Sequence, residues 1–364
     1  MSILYDDMQI AIATEADRVL AARTDQERLL ALLEEEGQID EQFWQTVCEQ
    51  GWAGIAIPEE YGGLGLGLVE LGIVAEACGT HLSGAPFLTT GQGVAAALLA
   101  CGSETLKQNW LPRLASGEVR GCVALAEGQA PVPSACSVTF ANGQLTGTKP
   151  AVPGALGADL ALVLANDNGS PVLLLAELGD VERHWFDSFD NTRATADIQF
   201  DGAPAEVLAV GDAARAAALA ALAQQAVVAA HEQTGGAAAM MHRARDYALS
   251  RRAFGQPIGG FQSVKHRIAE LYCLTELARA NVIHAASRSG NADFVRAAAA
   301  ARLSASEAYD TAARDCIQIH GGMGVTWESG LHLHMRRARS LAIETGNSLF
   351  WEDILSDLIV EGDR

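Results

Sequence analysis

The feature that most constrains the fold is a change in hydrophobic periodicity along the chain. Before about residue 118, apolar residues recur at three- and four-residue spacing, as in amphipathic helices. From 119 to 205 they form short runs, such as 122–125 and 160–164, separated by turn-like stretches, as in a small antiparallel β domain. Helical patterns then return in 212–250, 261–288, 291–319 and 337–360.

The order of these patterns predicts the fold class. Strands and helices do not alternate, which disfavours a doubly wound parallel sheet and favours a mostly α protein with a middle β domain. We predict three segments: an N-terminal helical domain at 1–118, a middle β domain at 119–205 and a C-terminal helical bundle at 206–364. At roughly 150 residues per domain, a length of 364 residues agrees with two or three domains.

The charge balance limits the choice of partners. The chain has 25 Lys+Arg and 45 Asp+Glu, which gives a formal net charge of −20. Such acidity would repel nucleic-acid phosphates and anionic lipid surfaces, because binding to either depends on clustered basic residues. The apolar content of 49% is enough to bury a sizeable core. We therefore expect a folded protein that binds neither nucleic acid nor membranes.

Targeting and cysteine patterns indicate a location. The first residues lack a basic start followed by an apolar stretch, so no secretory signal peptide is predicted. The longest apolar stretch, 216–230, is interrupted by two glutamines and is too short to span a bilayer. The seven cysteines are scattered without a CxxC pair, which argues against a disulfide framework and a zinc site. We expect a cytoplasmic protein.

Generic catalytic motifs are absent. The sequence contains no GxSxG, HExxH or GxxxxGKS/T, which disfavours a serine hydrolase, a zincin and a P-loop enzyme. The glycines at 63, 65 and 67 follow no clear strand and are weak evidence for a dinucleotide site. His332 and His334 would lie about 200° apart around a helix, so they could not share a metal ion. No metal site is predicted.

Three longer stretches are far more specific in combination. They are 51–67 (GWAGIAIPEEYGGLGLG), 251–266 (RRAFGQPIGGFQSVKH) and 318–324 (QIHGGMG). Together they resemble the acyl-CoA dehydrogenase family, in the family's order and spacing and along nearly the whole chain. The resemblance implies a helical N-terminal domain, a small β-barrel or sandwich and a C-terminal four-helix bundle. It also implies FAD, α,β-dehydrogenation of an acyl-CoA, electron transfer to an electron-transfer flavoprotein, and a dimer or dimer of dimers.

The resemblance assigns an FAD-binding role to part of the C-terminal segment. Arg251 ends an Ala-rich helix beside a turn, which suits clamping a diphosphate, although the helix dipole alone also favours a cation there. Gly321 and Gly322 would let a ligand approach the backbone, as a plain helix cap also would. The positions that the resemblance implies reach the FAD of the neighbouring subunit are Arg251, Phe254, Gln262, Gln318, Gly321 and Gly322.

The sequence departs from the family on the flavin side. The family's motif there is close to Thr-Glu-Pro-Gly-Ala-Gly-Ser-Asp, whereas 126–134 reads AEGQAPVPS. Ala126 therefore replaces a hydroxyl that would bond to the flavin ring. A second flavin-contacting strand usually reads Gly-Thr-Lys-x-Trp-Ile-Thr-Asn, and here Ala151 and Pro153 stand at its Trp and Thr. We predict that this chain's own flavin pocket is lost.

The catalytic base also departs from the family pattern. Removing the α-proton of an acyl thioester needs a carboxylate within hydrogen-bond reach of the α-carbon. Aligning the basic run at 336–339 places Thr345 at the base position and Glu344 one residue early. A one-residue shift turns a helical side chain by about 100°, so Glu344, the candidate base, does not simply inherit the role. The rarer branch, with its base on an earlier helix, matches Gln224, which has no carboxylate.

Loss on the flavin side, with retention of groups that reach across an interface, predicts an accessory chain. A catalytic partner would supply the flavin pocket and base in an α2β2 heterotetramer, and this chain would supply the ADP side of the FAD site. By analogy alone, such assemblies suggest bulky substrates such as steroid-type acyl-CoA thioesters, and so a role in steroid degradation.

Three alternatives stay open. The first is a self-sufficient homo-oligomeric dehydrogenase with Glu344 as base, and the second is a non-enzymatic structural or binding protein on the same fold. The third, a flavin oxidase or hydroxylase, is disfavoured because Thr345, and not an aspartate, stands at the base position. The acyl chain and the partner subunit are not specified by the sequence.

The basic run Arg336, Arg337 and Arg339 stands out on the presumed FAD and CoA side against the acidic background.

Overall fold

The computed structural model describes residues 5–23, 25–83 and 87–362. The first segment is helical, as its periodicity predicts, and side-chain caps hold the start of several of its helices. Asp40 accepts a hydrogen bond from the Phe43 amide, and Ser103 accepts one from the Leu106 amide, which satisfies N–H groups that lack helical partners. The helices are α1 (Asp7–Arg23), α2 (Gln26–Glu34), α3 (Glu41–Glu49), α4 (Leu68–His81), α5 (Phe87–Cys101) and α6 (Glu104–Ser116).

The middle of the chain forms a β domain. Five strands close a ring of pairings in the order β4-β2-β3-β7-β5, while β1 pairs with β4 and β6 pairs with β7. Six consecutive residues of β4 are buried, which explains the uninterrupted apolar run at 160–165. The strands are β1 (Gly121–Ala124), β2 (Thr139–Ala141), β3 (Gln144–Pro153), β4 (Leu160–Asp167), β5 (Ser170–Glu177), β6 (Glu182–Trp185) and β7 (Thr195–Val210).

Helices return after β7 and confirm the predicted fold class. The longest, α7, contains an 18-residue stretch apolar enough to cross a membrane, but 67% of that stretch is buried inside the fold, as in a core helix. The remaining elements are α7 (Asp212–Ser250), the short strands β8 (Arg252–Ala253) and β9 (Gln256–Pro257), α8 (Gln262–Ser287), α9 (Phe294–His320), α10 (Leu331–Glu344) and α11 (Ser348–Gly362).

The single helix predicted over 337–360 is wrong, because the structure has two. Helix α10 ends at Glu344 and α11 begins at Ser348. Gly346 between them adopts a φ of +93°, a conformation that residues with a Cβ disfavour. A periodicity argument overlooks this break because the apolar spacing continues on both sides of it.

Contacts divide the described residues into two compact units. The division of the chain into three domains stays a prediction. The first unit comprises the described residues of 1–26, 72–83 and 227–364, and the second those of 27–71 and 84–226. In the first unit, helices approach closely at glycines of α7. A Cβ on Gly235 would lie 1.8 Å from the Glu76 carbonyl oxygen, and one on Gly236 would lie 2.3 Å from the Tyr309 ring. These positions therefore require glycine for packing.

Two fully buried histidines in the first unit predict a pH dependence of stability. Burial lowers the pKa of His231 from 6.5 to about 3 and places that of His334 well below its ordinary value. Below pH 6.5 the unfolded chain binds protons that the folded chain does not. The free energy of unfolding therefore decreases as the pH is lowered. The expected loss is about 1.4 kcal/mol per pH unit for each histidine, down to the folded pKa.

Urea titrations between about pH 6.5 and pH 5 measure this slope, taken as the change in free energy of unfolding with pH. His231→Gln should reduce the slope by about 1.4 kcal/mol per pH unit, whatever its effect on stability at neutral pH. An unchanged slope would show that His231 is not held neutral in the folded protein.

Candidate functional site

All seven predicted site residues lie in the first unit. Four of them lie in two exposed segments: Arg251 and Phe254 belong to a hairpin, and Gly321 and Gly322 belong to a turn. Arg251 directly follows α7; its N–H donates to the Tyr247 carbonyl at 2.8 Å, and its own carbonyl accepts from Ile258 N–H at 2.8 Å. The first bond continues the helical pattern of α7, and the second closes a β8–β9 hairpin with Phe254 and Gly255 at its tip. The Arg251 side chain is exposed, so it is available to a ligand.

Phe254 is held in an unusual position at the hairpin tip. Its φ is +50° and that of Gly255 is +83°, as in a two-residue turn of the I′ type. The Phe254 side chain is 96% exposed, and its ring meets Phe261 edge-on with centroids 6.1 Å apart. Positive φ in a bulky residue costs on the order of 1–3 kcal/mol. A strained and exposed aromatic side chain indicates a residue kept for contact with another molecule.

Gln262, Gln318, Gly321 and Gly322 lie at helix ends. Gln262 is the first residue of α8, and Gln318 lies in the last turn of α9; both are exposed. Gly321, with a φ of +60° and a ψ of −136°, ends α9 by donating its N–H to the Gln318 carbonyl.

The two glycines have open space beside them. A Cβ on Gly321 or Gly322 would meet nothing within 4 Å, whereas one on Gly324 would lie 2.4 Å from the Ile317 carbonyl oxygen. Gly322 also has no positive φ, so neither its backbone nor the packing of the described residues requires glycine. The open surface at Gly322 fits the close approach of an external group to the backbone.

Glu344 and Thr345 lie where α10 ends. Glu344 is the last residue of the helix and is half-buried. Thr345 is buried, and its hydroxyl oxygen has no hydrogen-bond partner among the described residues. The Thr345 carbonyl accepts from the Trp351 indole N–H at 2.9 Å. Of these two adjacent side chains, the alcohol is therefore buried and the carboxylate is half-buried.

A buried arginine holds this turn in place. The Arg302 guanidinium donates to the Leu341 carbonyl at 2.7 Å and to the Gly346 carbonyl at 3.3 Å, and it contacts Gln233. Burial lowers the pKa of Arg302 to about 10, although the nearby Glu344 carboxylate opposes that shift. Sequence analysis missed Arg302, because nothing in its local pattern shows that it caps a helix about 40 residues away.

The basic run at 336–339 is largely used within the fold. Arg337 is buried and forms an ion pair with the buried Glu232 at 2.6 Å. Arg339 pairs with Asp310 at 3.1 Å. The interpretation of Arg337 as a group presented to FAD or CoA is therefore replaced by a structural one, while Arg339 stays exposed.

The flavin-side segment lies in the second unit, and its retained motif residues, Glu127 and Lys149, pair with each other. Lys149 is fully buried and donates to the Glu127 carboxylate at 2.6 Å and to the Leu125 carbonyl at 3.0 Å. Glu127 also accepts from the Ser137 hydroxyl at 2.6 Å and from the Val138 amide at 3.3 Å. Burial raises the pKa of Glu127, but these hydrogen bonds outweigh burial and lower it.

The Glu127–Lys149 ion pair gives a structural role to the residues that this chain shares with the two family motifs. Glu127 and Lys149 are the Glu and Lys of the two family motifs, and both are used to join the segment to β3. The rest of the segment is also fixed from within the unit, because Arg215 donates to the Ser134 carbonyl. Ala151 takes a φ of +51° and donates its N–H to Asp197 at 2.8 Å. The retained residues thus support the fold, whereas the hydroxyl and aromatic side chains of the family motifs are replaced.

Gln224 and His334 each contact another side chain of the fold. The Gln224 side-chain oxygen accepts from the Gln92 amide at 3.3 Å, so two amides pair where a base would be needed. His334 is buried against the Tyr309 hydroxyl, with 2.8 Å between Oη and Nδ1. Among the described residues, no group of three His, Cys, Asp or Glu side chains could hold a metal ion.

Comparison with known proteins identifies similar chains. The acyl-CoA dehydrogenase N-terminal domain model matches residues 6–118, and the C-terminal domain model matches residues 215–358. The acyl-CoA dehydrogenase IpdE2 of Mycobacterium tuberculosis (strain ATCC 25618 / H37Rv) is 33% identical over 83% of this chain and 82% of its own length.

Two solved structures have closely similar folds. One, a variant of the Tcur3481-Tcur3483 steroid ACAD, is 27% identical with a TM-score of 0.88, covering 98% of this chain and 99% of the other. The other, the ChsE4-ChsE5 complex from Mycobacterium tuberculosis, has a TM-score of 0.88 and covers 99% of both chains. At 24% identity, the second similarity is one of fold.

Proposed function

Because this chain belongs to the acyl-CoA dehydrogenase family, whose members depend on FAD, we propose that it is the accessory subunit of a heteromeric acyl-CoA dehydrogenase. In this role it contributes the ADP side of the FAD site to a catalytic partner chain. The observation that carries the proposal is a contrast within one molecule. The residues proposed to reach FAD include exposed side chains and two glycines with open space beside them, whereas the flavin-side segment lacks the family's hydroxyl and aromatic side chains and its Glu127 pairs with Lys149 within the unit.

The residues of the first unit fit the ADP part of FAD. Arg251 would hold the diphosphate through charge-assisted hydrogen bonds, and Gly321 and Gly322 would admit it close to the backbone. The exposed Phe254 ring, with Gln262 and Gln318, would line the same partner-facing surface. FAD, when bound, supplies the acceptor for the hydride that leaves the β-carbon of the acyl group.

The flavin-side segment of the second unit does not fit the isoalloxazine ring. Ala126 has no hydroxyl to donate, and Ala151 and Pro153 offer neither the aromatic face nor the hydroxyl of the family motif. The Glu127–Lys149 pair and the Arg215–Ser134 contact fix this segment as it is. The partner would therefore supply both the flavin pocket and the base.

The substrate, electron acceptor and location belong to the same proposal. A bulky, steroid-type acyl-CoA is supported by the similarity to a structure described as a steroid ACAD. An electron-transfer flavoprotein would take the electrons. The assembly would be an α2β2 heterotetramer in the cytoplasm.

Glu344→Gln separates this proposal from a self-sufficient homo-oligomer. In the assembly with its partner, we expect the variant to keep turnover within about twofold, because the working base lies on the partner chain. The assay is reduction of an artificial electron acceptor with an acyl-CoA, using the chain co-purified with the product of the neighbouring reading frame. Loss of turnover by a factor of about 100 or more, with bound flavin retained, would identify Glu344 as the base and contradict the proposal.

A further inference from the structure

The two segments assigned to the ADP side come from the ends of different helices, and two aromatic rings meet between those ends. Tyr247 lies in the last turns of α7, and His320 is the last residue of α9. Their ring centroids are 4.0 Å apart and their planes differ by 24°, which is a stacked contact. Both residues belong to the first unit.

Each ring is joined directly to one FAD-facing segment. The Tyr247 carbonyl accepts the N–H of Arg251 at 2.8 Å, so Tyr247 sits one helical turn before the hairpin. His320 immediately precedes Gly321, and a Cβ on Gly324 would lie 3.0 Å from the His320 Cβ, so the 321–325 turn packs back onto His320. A displacement of either ring would therefore move a segment that faces the cofactor.

The orientation of the imidazole ring is also fixed. His320 Nδ1 lies 2.7 Å from the carbonyl oxygen of Cys316 in the preceding turn of α9. Because a carbonyl can only accept, we assign the ring proton to Nδ1. This bond keeps the ring face toward Tyr247.

We propose that Tyr247 and His320 are a positioning pair that sets the distance between the Arg251 hairpin and the Gly321–Gly322 turn. The inference rests on the proposed function, because it assumes that these two segments bind one FAD. Neither ring needs to touch the cofactor. The pair acts by holding two binding segments in register, and loss of a stacked contact lets them separate.

The test measures the FAD dissociation constant of the assembly that retains flavin. Tyr247→Ala should raise that constant about tenfold, which corresponds to 1.4 kcal/mol. Tyr247→Phe should stay within about twofold of the parent protein, because stacking uses the ring face and not the hydroxyl. His320→Ala should match Tyr247→Ala and serves in its place if that variant does not fold.

Trp327→Ala is the matched control. It removes a similar stack, between Trp327 and His332, with centroids 4.3 Å apart and planes 19° apart. We expect it to lower the melting temperature about as much as Tyr247→Ala while leaving the FAD dissociation constant unchanged. An equal rise in that constant for Trp327→Ala would show a general effect of stability and would overturn the pair's positioning role.

Combination with Arg251→Ala shows whether the pair acts through the hairpin. In that background Tyr247→Ala should cause little further loss of FAD affinity, since the group being positioned is already gone. Fully additive losses would overturn the positioning role. If Arg251→Ala weakens FAD binding and Tyr247→Ala does not, only this inference fails. If Arg251→Ala itself has no effect, the proposed function fails with it.

Discussion

Glu232→Leu is expected to lower the free energy of unfolding by about 3–5 kcal/mol, the largest loss of stability that we predict. Glu232 and Arg337 are both buried and lie 2.6 Å apart, on α7 and α10 of the same unit. Removing the carboxylate takes away the buried negative charge that offsets desolvation of the Arg337 guanidinium. Urea unfolding followed by circular dichroism at neutral pH measures the loss.

The double variant Glu232→Leu/Arg337→Leu provides the control. Replacing both charges with apolar side chains removes the unpaired cation, so most of the lost stability should return. If the double variant is as unstable as Glu232→Leu, the loss comes from packing and not from the orphaned charge.

Arg251→Ala is expected to raise the FAD dissociation constant of the assembly by about 10- to 100-fold. A hydrogen bond to a charged group contributes about 1.5–3 kcal/mol, and 1.4 kcal/mol corresponds to a factor of ten. The side chain is exposed after α7, so its removal should leave the fold intact. Fluorescence titration of the apo assembly with FAD measures the constant.

Arg245→Ala is a matched control for Arg251→Ala. Arg245 is an exposed arginine of α7, the helix that Arg251 follows, and it pairs with the neighbouring Asp246 at 2.8 Å. It lies outside the hairpin and the glycine turn, so its removal should not change FAD binding. Equal weakening by both variants would indicate a general effect of surface charge and would count against a diphosphate contact at Arg251.

The order of elements could be predicted from the sequence because it has a local signal, and the candidate FAD-binding residues could be proposed because the family motifs that they match are short and contiguous. Helical and strand periodicities are read within a window of about a dozen residues. The Phe254-Gly255 turn and the Gly321-Gly322 pair are likewise contiguous in the chain. Phe254, Gly321 and Gly322 are exposed in the structure, as the proposed contact with a cofactor requires.

The interactions that could not be predicted join residues far apart in sequence. Arg337 and Glu232 are separated by 105 positions, and neither carries a local sign that it will be buried with the other. For this reason the basic run at 336–339 resembled a ligand-binding feature although Arg337 is part of the core. The break at Gly346 was missed because apolar spacing is blind to a single residue with positive φ.

The flavin content of the purified chain tests the central claim most directly. Absorbance near 450 nm should show essentially no bound FAD in the chain purified alone, and one FAD per pair of unlike chains after co-purification with its partner. This result is expected because the flavin-side segment lacks the hydroxyl and aromatic side chains of the family motifs, while the residues proposed for the ADP side are exposed. Stoichiometric FAD and acyl-CoA turnover in the lone chain would contradict the account.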